Sequence, residues 1–199
     1  VYVLYSEYEK YAYIKNKANL DEAFCLFINL GEDTENLVFL INYKQEFSND
    51  LKFPIVIDND ELYETFDHAG ADSIVFKDDI AAKLIASYIY EPDVALYSEE
   101  LLSYTKDDDN FDVKEYLVTS ENAFLNKPYN DVFFEIRERF GSILVGIVKN
   151  IDGKDVVLKN PADESVTIEQ GDHLILITCG AVEEQLYEGM KVQEGSLVS

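Results

Sequence analysis

Three acids, Asp58, Asp60 and Glu61, crowd together just after the apolar run at residues 53–57. Carboxylates so spaced suit a hard cation, since Ca2+ takes about six to eight oxygen ligands, preferring Asp and Glu. If the run is a parallel strand, the acids stand at its carboxyl end, the rim where open α/β sheets hold ligands. The same residues equally well cap the following helix and complement its dipole, and both readings stay open. Glu32, Asp33 and Glu35 repeat the pattern at another helix start, where dipole complementation is the simpler account. Other chemistry is sparse. His68 lies at the end of a helical stretch, His173 sits beside a turn, and no GxSxG motif occurs. Cys25 and Cys179 lie in apolar, strand-like stretches and read as buried thiols of a reducing compartment, unreactive and not joined in a disulfide. Acids are so abundant that chance carboxylate pairs give no glycosidase signal. No catalytic residue is assigned, and the chain is expected not to be an enzyme.

Placing acids at a strand rim requires strands alternating with helices, and the sequence supplies that order. Residues 22–30 (EAFCLFINL) are nearly continuous in apolar character and read as a strand buried on both faces. GEDTEN then opens a helix, capped by Asp33 or Thr34, with Leu37, Leu40, Ile41 and Lys44 at helical spacing and an end near Asn49. Residues 53–57 form a short buried strand. Leu62, Phe66 and Ala69 share one helical face that Gly70 closes. A third strand spans 73–76. The helix after it, capped by Asp78 or Asp79, carries the stripe Ile80, Leu84, Ile85, Tyr88 and Ile89 and stops at Pro92. Strand–helix alternation of this kind predicts a parallel α/β sheet. The texture changes at KDDDN (106–110), a hinge by its charge, with Asp107, Asp108 and Asp109 solvated. Beyond it the spacing predicts strands at 111–118, 143–148, 156–158 and in HLILIT, with helices over 131–140 and 181–187. Asp152-Gly153 marks a hairpin turn.

The chain has 199 residues, 47% of them hydrophobic and 13% aromatic, enough to pack a core. Its formal charge is −24, from 40 acids against 16 bases. That balance argues against unaided nucleic-acid binding and against docking on an anionic bilayer, and it favours attraction of cations. No apolar run reaches the roughly 18 residues a membrane helix needs, and no signal peptide opens the chain. It begins at Val1, and its single methionine is Met190, so it reads as a piece of a longer polypeptide.

Three stretches together resemble the RCK (regulator of K+ conductance) domains of prokaryotic potassium channels and Trk/Ktr-type uptake systems. They are IKNKANLDEAFCLFINLGEDTEN, HAGADSIVFKDDIAAKLIASYI, and LNKPYNDVFFEIRERFGSILVGIVKNIDGKDVVLKNPADESVTIEQGDHLILIT. The resemblance rests on their order and spacing and runs over nearly the whole chain. It implies a partial Rossmann-like parallel sheet, the second half of that fold, followed by a small α+β C-terminal subdomain of the TrkA-C type. The implied boundaries are residues 1–80 for the half-Rossmann unit, 81–106 for a crossover helix-turn-helix and hinge, 107–192 for the C-terminal subdomain and 193–199 for a tail. Residues 1–15 would correspond to the family's third strand and the segment next to it. The glycine-rich GxGxxG turn with which family members begin has no counterpart here. A sheet so truncated exposes an open edge.

The resemblance also implies sites. In calcium-gated members, acids ending the fourth and fifth strands hold Ca2+, and this maps the metal set onto Asp58, Asp60, Glu61 and Asn29. Asn29 and Val56 depart from that pattern, each standing where the family has an acid. In nucleotide-binding members the loop after the fourth strand lies beside the adenosine, which maps to Asn29, Leu30 and Gly31. NAD or an adenine nucleotide would then bind only with the first half of the fold present. The crossover elements clasp a second subunit, which assigns Tyr88, Tyr90, Leu101, Leu102 and Tyr104 to a dimer interface, with core packing as the alternative. The implied function is a ligand-sensing gating-ring module on the cytoplasmic side of the cell membrane, a homodimer or larger ring coupled to a membrane-embedded potassium pore. The expected ligand is Ca2+ or another divalent cation, or a nucleotide; no nucleic-acid partner and no membrane insertion of this chain are expected. An NAD-dependent oxidoreductase fragment and a structural tandem module without ligand remain as alternatives.

Overall fold

The computed structural model describes residues 10–47, 51–103, 110–161, 163 and 165–195. The chain divides into two compact units, Val1–Tyr90 and Glu91–Ser199. Of the hinge expected at 106–110, all but Asn110 lies outside the described residues.

The first unit opens with helix α1 (Tyr11–Ala18). The strand that the resemblance implies at the start of residues 1–15 falls on residues 1–9, outside the described residues; α1 follows and Asn19 ends it in the left-handed conformation. Residues 24–28 then run parallel to 52–56 through two isolated bridges, Cys25 to Lys52 and Ile28 to Ile55. The strand expected at 22–30 is therefore reduced to a short ribbon, and it is buried on one side only. Ile28 is buried, while Phe24 and Phe27 stay exposed, Phe27 at 58%. Cys25 is exposed and Cys179 half-buried, both as free thiols, which corrects the expectation of two buried cysteines. Apolar continuity promises burial on both faces only if both faces have a covering layer.

Here the covering layer lies on one face. Strand β1 (Pro54–Ile57) pairs in parallel with β2 (Ser73–Phe76). Helix α2 (Asp33–Glu46) and helix α3 (Tyr63–His68) contribute Phe39, Leu40, Tyr43 and Phe66 to a cluster with Ile28, Phe53, Ile55 and Ile57. The inner face of α2 is Asn36, Phe39, Leu40 and Tyr43, whereas Ile41 is exposed. The face expected from Leu37, Leu40, Ile41 and Lys44 is therefore rotated by part of a turn. Gly70 closes α3 at φ +93°, where a side chain would also press on the Lys44 stem. Helix α4 (Lys77–Tyr90) follows β2 directly and has no buried residue.

The second unit begins with helix α5 (Pro92–Leu102), which has Pro at its N-terminus and buries Ala95. Strands β3 (Phe111–Leu117), β4 (Ile143–Ile151), β5 (Lys154–Lys159) and β6 (His173–Cys179) form one antiparallel sheet in the order β3-β6-β4-β5. β4 turns into β5 at Asp152 and Gly153, both at positive φ, as a tight two-residue hairpin requires. Helix α6 (Tyr129–Phe140) and helix α7 (Glu183–Met190) pack Val132, Ile136, Phe140, Leu186 and Met190 against Leu144, Ile147, Leu174 and Leu176 of the sheet. The buried Tyr129 hydroxyl donates to the Leu144 carbonyl at 3.1 Å, and burial pushes its pKa up to about 12. This unit matches the small α+β subdomain expected from the sequence.

Candidate functional site

The carboxyl ends of the parallel ribbon are built by the first turn of α2. A helix starting one loop after a strand directs its N-terminal side chains back at the strand ends, where the neighbouring backbone has unpaired groups. Asp33 accepts two hydrogen bonds there, from the Asp58 amide at 3.0 Å and the Asn59 amide at 2.9 Å. Asn36, one turn later and buried, accepts from the Leu30 amide at 2.7 Å and donates to the Val56 carbonyl at 3.0 Å. These two side chains staple the loop holding Asn29, Leu30 and Gly31 to the loop holding Asp58. The sequence-derived residues thus occupy two adjoining loops of one rim.

The acids of the rim are already engaged or spread apart. Asp58 forms a 2.9 Å ion pair with Lys77, and that hydrogen bond, with the charge of Asp58, raises the Lys77 pKa. Asn59 caps the short 3-10 turn at 60–62 by accepting from the Glu61 amide at 3.0 Å. The cap expected of Asp58, Asp60 or Glu61 is therefore an asparagine. Asp60 and Glu61 point to solvent. Among the described residues, no group of three or more His, Cys, Asp or Glu is arranged to hold a metal ion. Asn29 and Gly31 are exposed, and the Leu30 amide is already committed to Asn36. The residues that organise the rim and escaped the sequence reading are Asn36 and Lys77. Each carried a signal: a lone amide within a buried helical stripe, and a lone cation between β2 and an acidic helix start.

The residues assigned to a subunit interface lie on exposed helix faces. On α4, Tyr88 and Tyr90 are exposed, Tyr90 at 83%, beside Ile80, Ile85 and Ile89, the last at 69%. On α5, Leu101 is half-buried and Leu102 is 80% exposed, with Val94, Leu96 and Tyr97 also open to solvent. Tyr104 lies outside the described residues. Among the described residues, no helix is long and apolar enough to cross a membrane.

No family model matches the chain, and no curated protein does either. Solved structures do. The human SLO3 gating ring matches over 97% of this chain at a TM-score of 0.68 and 12% identity. The GsuK RCK domain matches over 96% at a TM-score of 0.41 and 18% identity. Streptococcal (S. agalactiae) BusR, in complex with busA-promotor DNA, matches over 92% at a TM-score of 0.32 and 16% identity. The chain spans 39% of the SLO3 chain and 38% of the GsuK chain. The SLO3 likeness shows the fold: a Rossmann-like parallel sheet joined to a small α+β subdomain, as in a gating ring.

Proposed function

We propose that this chain, which carries the RCK fold of a potassium-channel gating ring, is a non-enzymatic regulatory module that assembles with copies of itself and controls a membrane-embedded potassium pore from the cytoplasmic side. The observation that carries this reading is helix α4. It holds Ile80, Ile85, Tyr88, Ile89 and Tyr90 on its surface and buries none of them. A face this apolar costs free energy in water at about 25 cal/mol per Å2, and a second subunit is the cover that an oligomeric ring supplies. Sedimentation velocity tests it. The chain should run as a dimer or larger species at micromolar concentration, and Ile89→Glu should dissociate it while leaving its circular dichroism unchanged. A wild-type monomer at those concentrations would remove the support for assembly through α4.

The regulatory ligand belongs at the rim formed by Asn29, Leu30, Gly31 and Asp58, as a divalent cation or an adenine nucleotide. A cation there must displace Lys77 from Asp58, so affinity depends on that ion pair. A nucleotide would use the exposed Asn29–Gly31 loop. Calorimetry separates the two: heat with Ca2+ that Asp58→Asn abolishes indicates the cation, and heat with NAD that Asp58→Asn leaves intact indicates the nucleotide. One observation favours a second reading, a structural module without ligand: the rim's inward-facing amides are already satisfied by Asp33 and Asn36. Silence with both probes would establish it.

A further inference from the structure

In the second unit, α6 and α7 cover one face of the four-stranded sheet, where Leu144, Ile147, Leu174 and Leu176 are buried. The residues that alternate with these point to the other face. Strand register sets them in rows. One row runs Glu115, Ile175, Gly146, Lys159 from β3 across to β5. The row on one side of it runs Leu117, His173, Val148, Val157, and on the other side stand Val113, Ile177 and Ile143. No side chain in these rows is buried, and Val113 and Val157 are 43% and 50% exposed. The face is thus largely apolar and open to water.

The charges on this face say what covers it. Charged residues thin out at the centre of protein interfaces, and these rows hold a single acid in a chain that has 40. That acid and the single lysine stand at opposite ends of one row, Glu115 on the edge strand β3 and Lys159 on the edge strand β5. Three strand spacings, about 14 Å, separate their backbones, too far for a pair within one chain. Glu115 leans over the face instead, its carboxylate 4.0 Å from His173. Consider a two-fold axis between two such faces, parallel to the strands and midway between β6 and β4. It lays β3 over the partner's β5 and β6 over the partner's β4. Glu115 then meets the partner's Lys159, and Lys159 meets the partner's Glu115. Beside them Leu117 meets the partner's Val157, and Ile177 meets the partner's Ile143. Sheets packed face to face stand about 10 Å apart and turn by about 30°, which shifts their edges by about 4 Å, within reach of a Glu and a Lys side chain. The order β3-β6-β4-β5 therefore makes the face complementary to itself, as an isologous contact requires.

We infer that two copies of this chain pack these sheet faces together, Glu115 of each against Lys159 of the other. No residue of α4 takes part, so this is a second self-contact beside the one proposed for that helix. One isologous contact stops at a dimer, whereas two on different faces continue to a larger assembly. The footprint, about 20 Å on a side, is below the standard size of a protein–protein contact, so this contact is weak by itself. The test uses the full chain carrying Ile89→Glu, which removes the α4 contact, in sedimentation equilibrium up to several hundred micromolar. A reversible dimer should appear. Glu115→Lys and Lys159→Glu should each weaken it about tenfold, and the two together should restore it. Both residues lie outside the core, so the reversals leave the fold intact, as circular dichroism would check. Restoration can arise only between copies, because the two residues do not reach each other within one. A monomer at the highest concentration would overturn the contact. So would single reversals without effect, or a double reversal that dimerises no better than the singles. The α4 reading fails separately, if Ile89→Glu leaves the mass of the wild-type assembly unchanged.

Discussion

Asn36 shows how one side chain sets a whole rim. It is 2% exposed, and both its hydrogen bonds go to backbone of other segments, Leu30 on one loop and Val56 on the neighbouring strand. Asn36→Leu keeps the branched outline and raises the helix propensity but strands an amide and a carbonyl, and it should cost about 1–3 kcal/mol in urea denaturation. If the loss is no larger than a few tenths, the staple has no structural weight. Glu135 offers a pH test at the same scale. Its carboxyl pKa lies below the usual range because Lys127 donates to it at 2.6 Å, with Arg139 adding a second bond at 2.7 Å against the opposing effect of burial. A folded pKa below the unfolded one gives stability that is present above the ordinary carboxylate range and lost as pH falls through the depressed value. Glu135→Gln should therefore lower the melting temperature at neutral pH, by the equivalent of at most about 1 kcal/mol for so exposed a pair, and match the wild type once the pH has fallen below the depressed value. A gap that persists at low pH would assign the effect to packing.

Elements differ in how openly the sequence announced them. The β4–β5 hairpin was plain, because Asp152-Gly153 can do little except turn, and Gly153→Ala at φ +81° should cost about 1 kcal/mol in thermal unfolding. Helix α6 was plain too, since Val132, Phe133, Ile136 and Phe140 repeat at helical spacing and pack inward. Helix α2 was misjudged because periodicity ranks apolar residues, and one of its buried positions, Asn36, is an asparagine held by hydrogen bonds. The segment at 22–30 was misjudged because a continuous apolar run says nothing about which neighbours will cover it. At the rim, Asp58 and its loop were legible from strand-end position. The pairing of Asp58 with Lys77 was not, because it joins residues that meet only after two strands have paired.

Across the whole molecule, two separate cores carry the two units, one around Tyr43, Phe53 and Ile55, the other around Tyr116, Tyr129 and Leu176. The second is enclosed between a four-stranded sheet and two helices. Expressed alone, residues 91–199 should therefore melt in one cooperative transition, as calorimetry would record. Residues 1–90 alone should self-associate, because their ribbon keeps Phe24 and Phe27 in water. A cooperative, monomeric 1–90 fragment would contradict that. The exposed thiol of Cys25 stands on this same ribbon, and the chain's other cysteine, Cys179, is half-buried. The molecule thus contains its own reporter. Maleimide alkylation of Cys25 should be fast on the bare ribbon and slow once another layer docks over it, so the labelling rate alone would time the completion of the sheet.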